Sequence, residues 1–242
     1  MSATEVQLGN PVERTPDHVF ERYRATRDWK LYEKEWIYRN FPPLGRSWLD
    51  FGCGTGEIVT QLAKLGASRV VGIDITPGLI DRTRLRAELD GVADCVELYC
   101  GDIVALQPEP VDIVLAYAVL HHLPDRLDEV IPAVRRWLKP GGVFISVDPV
   151  CYLPLLEWMR QRSGVPQDEL DPGERKLTDA DLERVAGYFS CSERVHFHLF
   201  SRFSRLFPKA DRVFRRIDNI VLSIPGLSAA AGAAIQVCRT DS

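Results

Sequence analysis

The chain has 242 residues, 45% of them hydrophobic and 26% charged, which suits a soluble globular protein with one substantial core. Thirty Lys and Arg against 34 Asp and Glu leave a net charge of −4, so the chain as a whole has no pull toward nucleic acid or an anionic membrane, and only local patches could supply one. No run approaches the roughly 20 apolar residues of a membrane span. The opening "MSATEVQLGN" has neither an apolar signal core nor a positive leader, and the six cysteines form no CxxC pair and no zinc spacing with histidine. These features predict a cytoplasmic protein with reduced thiols and no metal.

In chain order, Thr15-Pro16 can open a helix, and "VFERYRATRDWKLYEKEWIYRNF" continues it as one or two helices until Pro42 and Pro43. From Ser47 the pattern changes. Short apolar runs, "SWLDF" (47–51), "RVVGID" (69–74), "CVELYC" (95–100), "VDIVLAY" (111–117) and "GVFISVD" (142–148), alternate with helical segments. Two of those are "EIVTQLAKLG" and "PGLIDRTRLRAELDG", the second with Thr76 as cap and Pro77 at its first position. A further helix before "WLKPGG" contains Pro132, so it is either bent or starts near Asp128. Strands and helices alternating in this way predict a doubly wound α/β fold around a buried parallel sheet. Beyond Asp148 come a helical stretch "CYLPLLEWMRQR", a loop over 163–174, a helix "TDADLERVAGYF" capped by Thr178 with Asp181, a strand "RVHFHLF" (194–200), an amphipathic helix "ADRVFRRIDNIVLSI" and a last strand "AAIQVCR".

The chemistry concentrates in "LDFGCGTGE" (49–57). Gly52, Gly54 and Gly56 let the backbone turn tightly and approach a ligand closely. In the dinucleotide pattern G-x-G-x-x-G the third glycine would stand where this chain has Glu57, and a carboxylate there repels phosphate. The ligand is therefore cationic or zwitterionic where it meets the loop. Asp74, eighteen residues after Gly56, can accept from both ribose hydroxyls, and Asp102 after the third run can accept from an adenine amino group. A nucleoside with a positive, phosphate-free tail describes S-adenosylmethionine.

Over about Ser47 to Asp148 the chain resembles the class I S-adenosylmethionine-dependent methyltransferases of the small-molecule branch. The likeness rests on "LDFGCGTG", "VVGIDIT", Gly101-Asp102, "VDIVLAYAVLHHLPD" and "LKPGG", five motifs in the family's order. It implies a Rossmann-like seven-stranded sheet, mostly parallel with an antiparallel last strand and helices on both faces. It also implies a cofactor pocket at Asp50, Gly52, Cys53, Gly54, Gly56, Asp74, Ile75, Asp102, Ile103 and Tyr117. The single domain, 1–242, would divide into an N-terminal helical lid (1–45), a cofactor-binding core (46–148) and acceptor-side helices with the last two strands (149–242).

Methyl transfer needs a base only when the acceptor carries a proton. His121 and His122, just past the fourth strand, are the candidates, against a plainer reading in which they line the pocket. Asp148, Tyr152 and, on the lid segment, Tyr23, Trp29 and Tyr32 are candidate acceptor contacts; aromatic residues at such spacing also serve as plain packing. The stretch 194–216 gathers seven basic residues among five phenylalanines. Its default reading is a stripe of Val213, Phe214, Ile217, Val221 and Ile224 buried against the sheet or a second subunit, with solvated arginines. Competing readings are an interfacial helix that meets a lipid-linked acceptor and a pocket for an anionic substrate, both ranked above nucleic acid. The resulting expectation is methylation of a small molecule, at oxygen before nitrogen or carbon. A non-catalytic S-adenosylmethionine-binding scaffold is the alternative from another class; such a scaffold would tend to lose the glycines or Asp74, which this chain keeps.

Overall fold

A computed structural model describes residues 31–107, 109–153, 158, 162, 175–205, 207–224 and 226–241. Tyr23 and Trp29 lie outside the described residues, as do the loop over 163–174 and most of the helical stretch over 151–162. The described elements are α1 (Leu31–Asn40), β1 (Ser47–Phe51), α2 (Glu57–Lys64), β2 (Arg69–Asp74), α3 (Pro77–Leu89), β3 (Val96–Cys100), β4 (Val111–Tyr117), α4 (Leu127–Arg136), β5 (Leu138–Pro149), α5 (Asp179–Ala186), β6 (Cys191–Phe197), α6 (Asp211–Val221) and β7 (Ala233–Arg239).

The seven strands form one sheet in the order β3-β2-β1-β4-β5-β7-β6, in which β7 alone runs opposite to the other six. Every residue of β1 is buried, because a central strand of a sheet covered on both sides presents both faces to a core. The alternation of side chains sends successive residues to different cores. Trp48 packs with Ile37, Tyr38, Val59 and Leu62 under α1 and α2, whereas Leu49 packs with Val130, Val134, Trp137 and Leu182 under α4 and α5. The edge strands β3 and β6 are only partly buried, matching their more polar sequences.

Helix α4 begins at Leu127 and carries Pro132 in its interior. Thr178 and Asp181 form a reciprocal capping box on α5, with Arg175 holding the same carboxylate at 2.6 and 2.9 Å. Thr76 stands at the N-cap of α3, but its side chain makes no capping bond; Asp74 Oδ1 accepts the Thr76 N–H instead, at 2.9 Å. Strand β6 runs from Cys191 to Phe197 rather than over 194–200. It ends there because His198 adopts a left-handed backbone, φ +65°, which turns the chain off the sheet.

The stripe expected on α6 is not buried against this chain's own sheet, the largest departure from the sequence reading. Val213, Ile217 and Ile224 are exposed and Phe214 and Val221 only half-buried, while the side that packs inward carries Asp218, with Leu222 just beyond the helix. Asp218 is buried because it accepts the consecutive N–H groups of Leu199, Phe200 and Ser201, at 3.3, 2.6 and 3.0 Å. Backbone donors freed by the turn at His198 thus select a carboxylate, not an apolar residue, for the inner face.

Helix α1 joins this region through buried polar contacts. His198 lies between Glu33 and Ser201, with Nε2 2.6 Å from Glu33 Oε1 and Nδ1 2.9 Å from Ser201 Oγ; all three residues are buried. Removing the imidazole would strand the Glu33 carboxylate in the interior. His198→Ala is therefore expected to cost roughly 3 kcal/mol in urea unfolding, well above the effect of truncating an exposed residue such as Leu89.

Candidate active site

The parallel sheet brings the C-terminal ends of β1, β2, β3, β4 and β5 to one edge, where open α/β sheets bind ligands. Between β1 and α2 the chain crosses that edge on three glycines, all left-handed: Gly52 at φ +73°, Gly54 at +54° and Gly56 at +77°. A Cβ on Gly52 would stand 2.6 Å from Val119 Cγ2, and one on Gly56 would stand 2.5 Å from Thr83 Cγ2. At these two positions conformation and space both demand glycine. A Cβ on Gly54 would meet nothing, so this part of the loop faces open space.

The loop is pinned from β2. Ile73 O accepts from the N–H groups of Gly52 and Cys53, and Asp74 Oδ2 accepts from the Gly54 N–H at 2.9 Å. With the Thr76 N–H on Oδ1, each Asp74 oxygen holds one backbone donor and keeps a lone pair for another. A cis diol could use both.

Asp50 ends β1's approach to the loop and is 2% exposed; its Oδ2 has no hydrogen-bond partner. Burial pushes its carboxyl up to about 7; the charge of Lys34 opposes this, and those of Asp74 and Glu57 add to it. An unpaired buried carboxylate oxygen beside a loop open to solvent is a receptor for a cationic donor, so the residues present fit the ammonium of a methionine tail. Cys53 is buried behind the loop, where burial first, and the charges of Asp50 and Asp74 after it, push its thiol well above the ordinary range. That thiol is inert filling.

Lys34, on α1, is a site residue that the sequence pattern did not single out. Its side chain is 8% exposed, and Nζ lies 2.6 Å from Glu57 Oε1 and 5.5 Å from the centroid of the Tyr117 ring. Burial alone would raise Glu57, but the hydrogen bond and charge of Lys34 outweigh it and hold the carboxyl below its usual value. Spacing held the clue, since Lys34 falls on the same helical face as the buried Ile37, Tyr38 and Phe41.

Around the rim, Ile75 is exposed and free to lie along a ligand, whereas Ile103 is buried in the core. Asp102 accepts from the Val104 N–H at 2.9 Å and from Arg126 at 2.9 Å, and these contacts, the backbone bond first, hold its carboxyl low. On the acceptor side, His121 and Asp148 are both buried and meet directly. His121 Nδ1 is 2.9 Å from Asp148 Oδ1, which also accepts the His121 backbone N–H at 3.1 Å. His122 is exposed, its ring centroid 4.0 Å from that of His121. The two other candidate acceptor contacts within the described residues have other partners. Tyr32 bonds to Asn219 and packs on Phe197, and the Tyr152 hydroxyl is 3.3 Å from His196 Nε2.

Residues 49–146 match the Methyltransferase domain family. Among curated proteins, the ribosomal protein L11 methyltransferase of Photobacterium profundum is 37% identical over 99 residues, which cover 41% of this chain and 32% of that protein. The chain thus spans about a third of the length of that relative. Among solved structures, phosphoethanolamine N-methyltransferase 2 of Haemonchus contortus, in complex with S-adenosyl-L-methionine, aligns with a TM-score of 0.58 at 19% identity, covering 85% of this chain and 51% of that one. The cyclase SpnF aligns with a TM-score of 0.56 at 22% identity, covering 82% and 75%. At these identities the likeness is to the fold, and one fold hosting a methyltransferase and a cyclase leaves the reaction to the site.

Asp50 makes the unliganded protein sensitive to pH. Its folded value of about 7 lies above the ordinary 3.8, so between those limits the native state holds a proton that the unfolded chain releases. Its contribution to stability therefore falls as pH rises through that window. In thermal melts without ligand, Asp50→Asn should be stabilised relative to the native sequence above pH 7 and indistinguishable from it near pH 4.

Proposed function

We propose that this chain, in which residues 49–146 form a class I S-adenosylmethionine-dependent methyltransferase domain, methylates an oxygen of a small-molecule acceptor. The observation that carries the reading is the unpaired, buried Oδ2 of Asp50 behind a left-handed glycine loop. Asp50 would accept the methionine ammonium, Asp74 the ribose hydroxyls through its two remaining lone pairs, and Asp102 the adenine amino group beside its bond to Arg126. Gly54 leaves the loop open for that approach, and Ile75 and Tyr117 would flank it. When bound, S-adenosylmethionine supplies a methyl group on a sulfonium, open to in-line displacement by the acceptor. The chain's part is to align and desolvate, an effect that can be worth roughly 7–11 kcal/mol.

The preference for oxygen rests on the His121–Asp148 pair. With Nδ1–H donated to Asp148, the imidazole is held in the tautomer whose Nε2 can take a proton from an acceptor hydroxyl. Asp148 is then a positioning residue. A protein acceptor is the second reading, favoured by the identity to the L11 methyltransferases; that identity spans 99 residues, and the chain's 149–242 portion is where acceptor choice is expected to reside.

Calorimetric titration with S-adenosylmethionine, S-adenosylhomocysteine and NAD in parallel tests the cofactor. Binding of the first two without the third is expected, and Asp74→Ala should abolish it; tight NAD binding would overturn the reading. Affinity should fall about tenfold per pH unit below 7, as Asp50 is protonated, and Asp50→Asn should flatten that dependence. With an acceptor found by a labelled-methyl screen, His121→Ala should lower kcat by roughly 100-fold or more while sparing cofactor affinity. A near-native rate would leave alignment as the catalytic device.

A further inference from the structure

Helix α6 is amphipathic in the reverse of the usual sense. Beside the half-buried Phe214 and Val221, its inward contacts are polar: Asp218 holds three backbone N–H groups, Asn219 accepts from the Tyr32 hydroxyl, and Arg215 lies 4.8 Å from the Tyr32 ring centroid and pairs with Asp211 at 2.8 Å. Its outer side is apolar. Val213, Ile217 and Ile220 on the helix and Ile224 just beyond it follow one another at helical spacing with 56%, 36%, 66% and 46% of their surface exposed. Phe207 before the helix and Leu227 after it extend the exposed apolar surface at 59% and 45%. An apolar surface of this length left open to water marks an interaction site.

Charge selects the occupant. Lys209, Arg212 and Arg216 are exposed on or beside this helix, and none pairs with an acid among the described residues. The acids of the helix are already engaged, Asp211 by Arg215 and Asp218 by backbone. A second copy docked face to face would therefore set arginine against arginine with no described acid to answer it. An anionic bilayer supplies both what the stripe and what the cations require, an apolar layer rimmed by negative headgroups. The net charge of −4 over the whole chain makes this local reversal more pointed.

The segment carrying α6 leaves the sheet at Phe197 and returns at Ala233, which pairs with Pro149, the residue after Asp148. The helix is thus inserted at the same sheet edge as the His121–Asp148 pair. We propose that α6 is an interfacial anchor which seats this chain on an anionic lipid surface by its Val213–Ile224 stripe and its flanking cations. That the acceptor is then a lipid-linked or bilayer-dissolved molecule rests on the methyltransferase reading; the docking does not.

Co-sedimentation of the full chain with vesicles tests the anchor. Strong binding is expected to vesicles of equal parts phosphatidylglycerol and phosphatidylcholine, weakened by salt, with little binding to phosphatidylcholine alone. The double variant Arg212→Ala/Arg216→Ala should bind about thirtyfold more weakly, and Ile220→Asp roughly tenfold or more, each with unchanged circular dichroism and S-adenosylmethionine affinity. No binding to the anionic vesicles, or binding that neither variant weakens, would overturn the proposal. So would a dimer in sedimentation velocity that Ile220→Asp dissociates, which gives the face to a second copy. So would vesicle binding that appears only once residues 1–30 are deleted, which gives it to that segment. Cofactor titration on the same samples keeps a failed anchor distinct from a failed methyltransferase reading.

Discussion

The site depends on one crossing of the backbone, where β1 ends and the chain must turn over the sheet edge into α2. Val119 stands against Gly52 and Thr83 against Gly56, so no side chain fits at either position, and the left-handed backbone excludes most residues as well. The crossing is held from below by Ile73 O and from the side by Asp74, so it is rigid before any ligand arrives. Rigidity has a cost at Asp50, whose carboxylate is buried without a full set of donors and titrates near 7 as a result. The unpaired oxygen is a place for a further hydrogen-bond donor, and a charged donor would hold the carboxylate most strongly. Glu57, the third carboxylate of the loop, is already answered by Lys34.

Around this crossing the chain arranges polar contacts of a second kind, which connect distant segments. Lys34 ties α1 to Glu57 at the start of α2, and Glu33, the next residue back, ties the same helix to His198 beyond β6. Neighbouring residues of one helix thus hold the start of α2 and the turn after β6. The direction of α6 follows from the same network. Once Asp218 caps the turn after β6 and Tyr32 bonds to Asn219, the helix has no freedom to rotate its apolar side inward. Its exposed stripe is a consequence of satisfied backbone donors, not of imperfect packing.

Much of this was legible from residue order. The alternation of apolar runs and helical segments, the glycines with their flanking carboxylates, and Asp74 and Asp102 at strand ends all depend on local spacing, which tertiary contacts do not rewrite. Strand β6 slipped by three residues because a left-handed His198 carries no sequence mark comparable to a glycine. Thr76 fills a cap position without a capping bond from its side chain, while its own N–H is held by Asp74. Lys34 was not singled out from the sequence, since its partner Glu57 is 23 residues away.

The sequence by itself therefore determined the sheet, the edge where its strands end and the glycine crossing there, because each follows from short-range periodicity and from backbone conformations only glycine adopts readily. Tertiary structure alone decided which way α6 faces, that His121 and Asp148 form a pair, and that Asp50 is left one partner short. Those outcomes depend on which donors remain unsatisfied once the strands have docked. A donor 17 or 27 residues away in sequence can be the nearest one in space, as Ser201 is to Asp218 and His121 to Asp148.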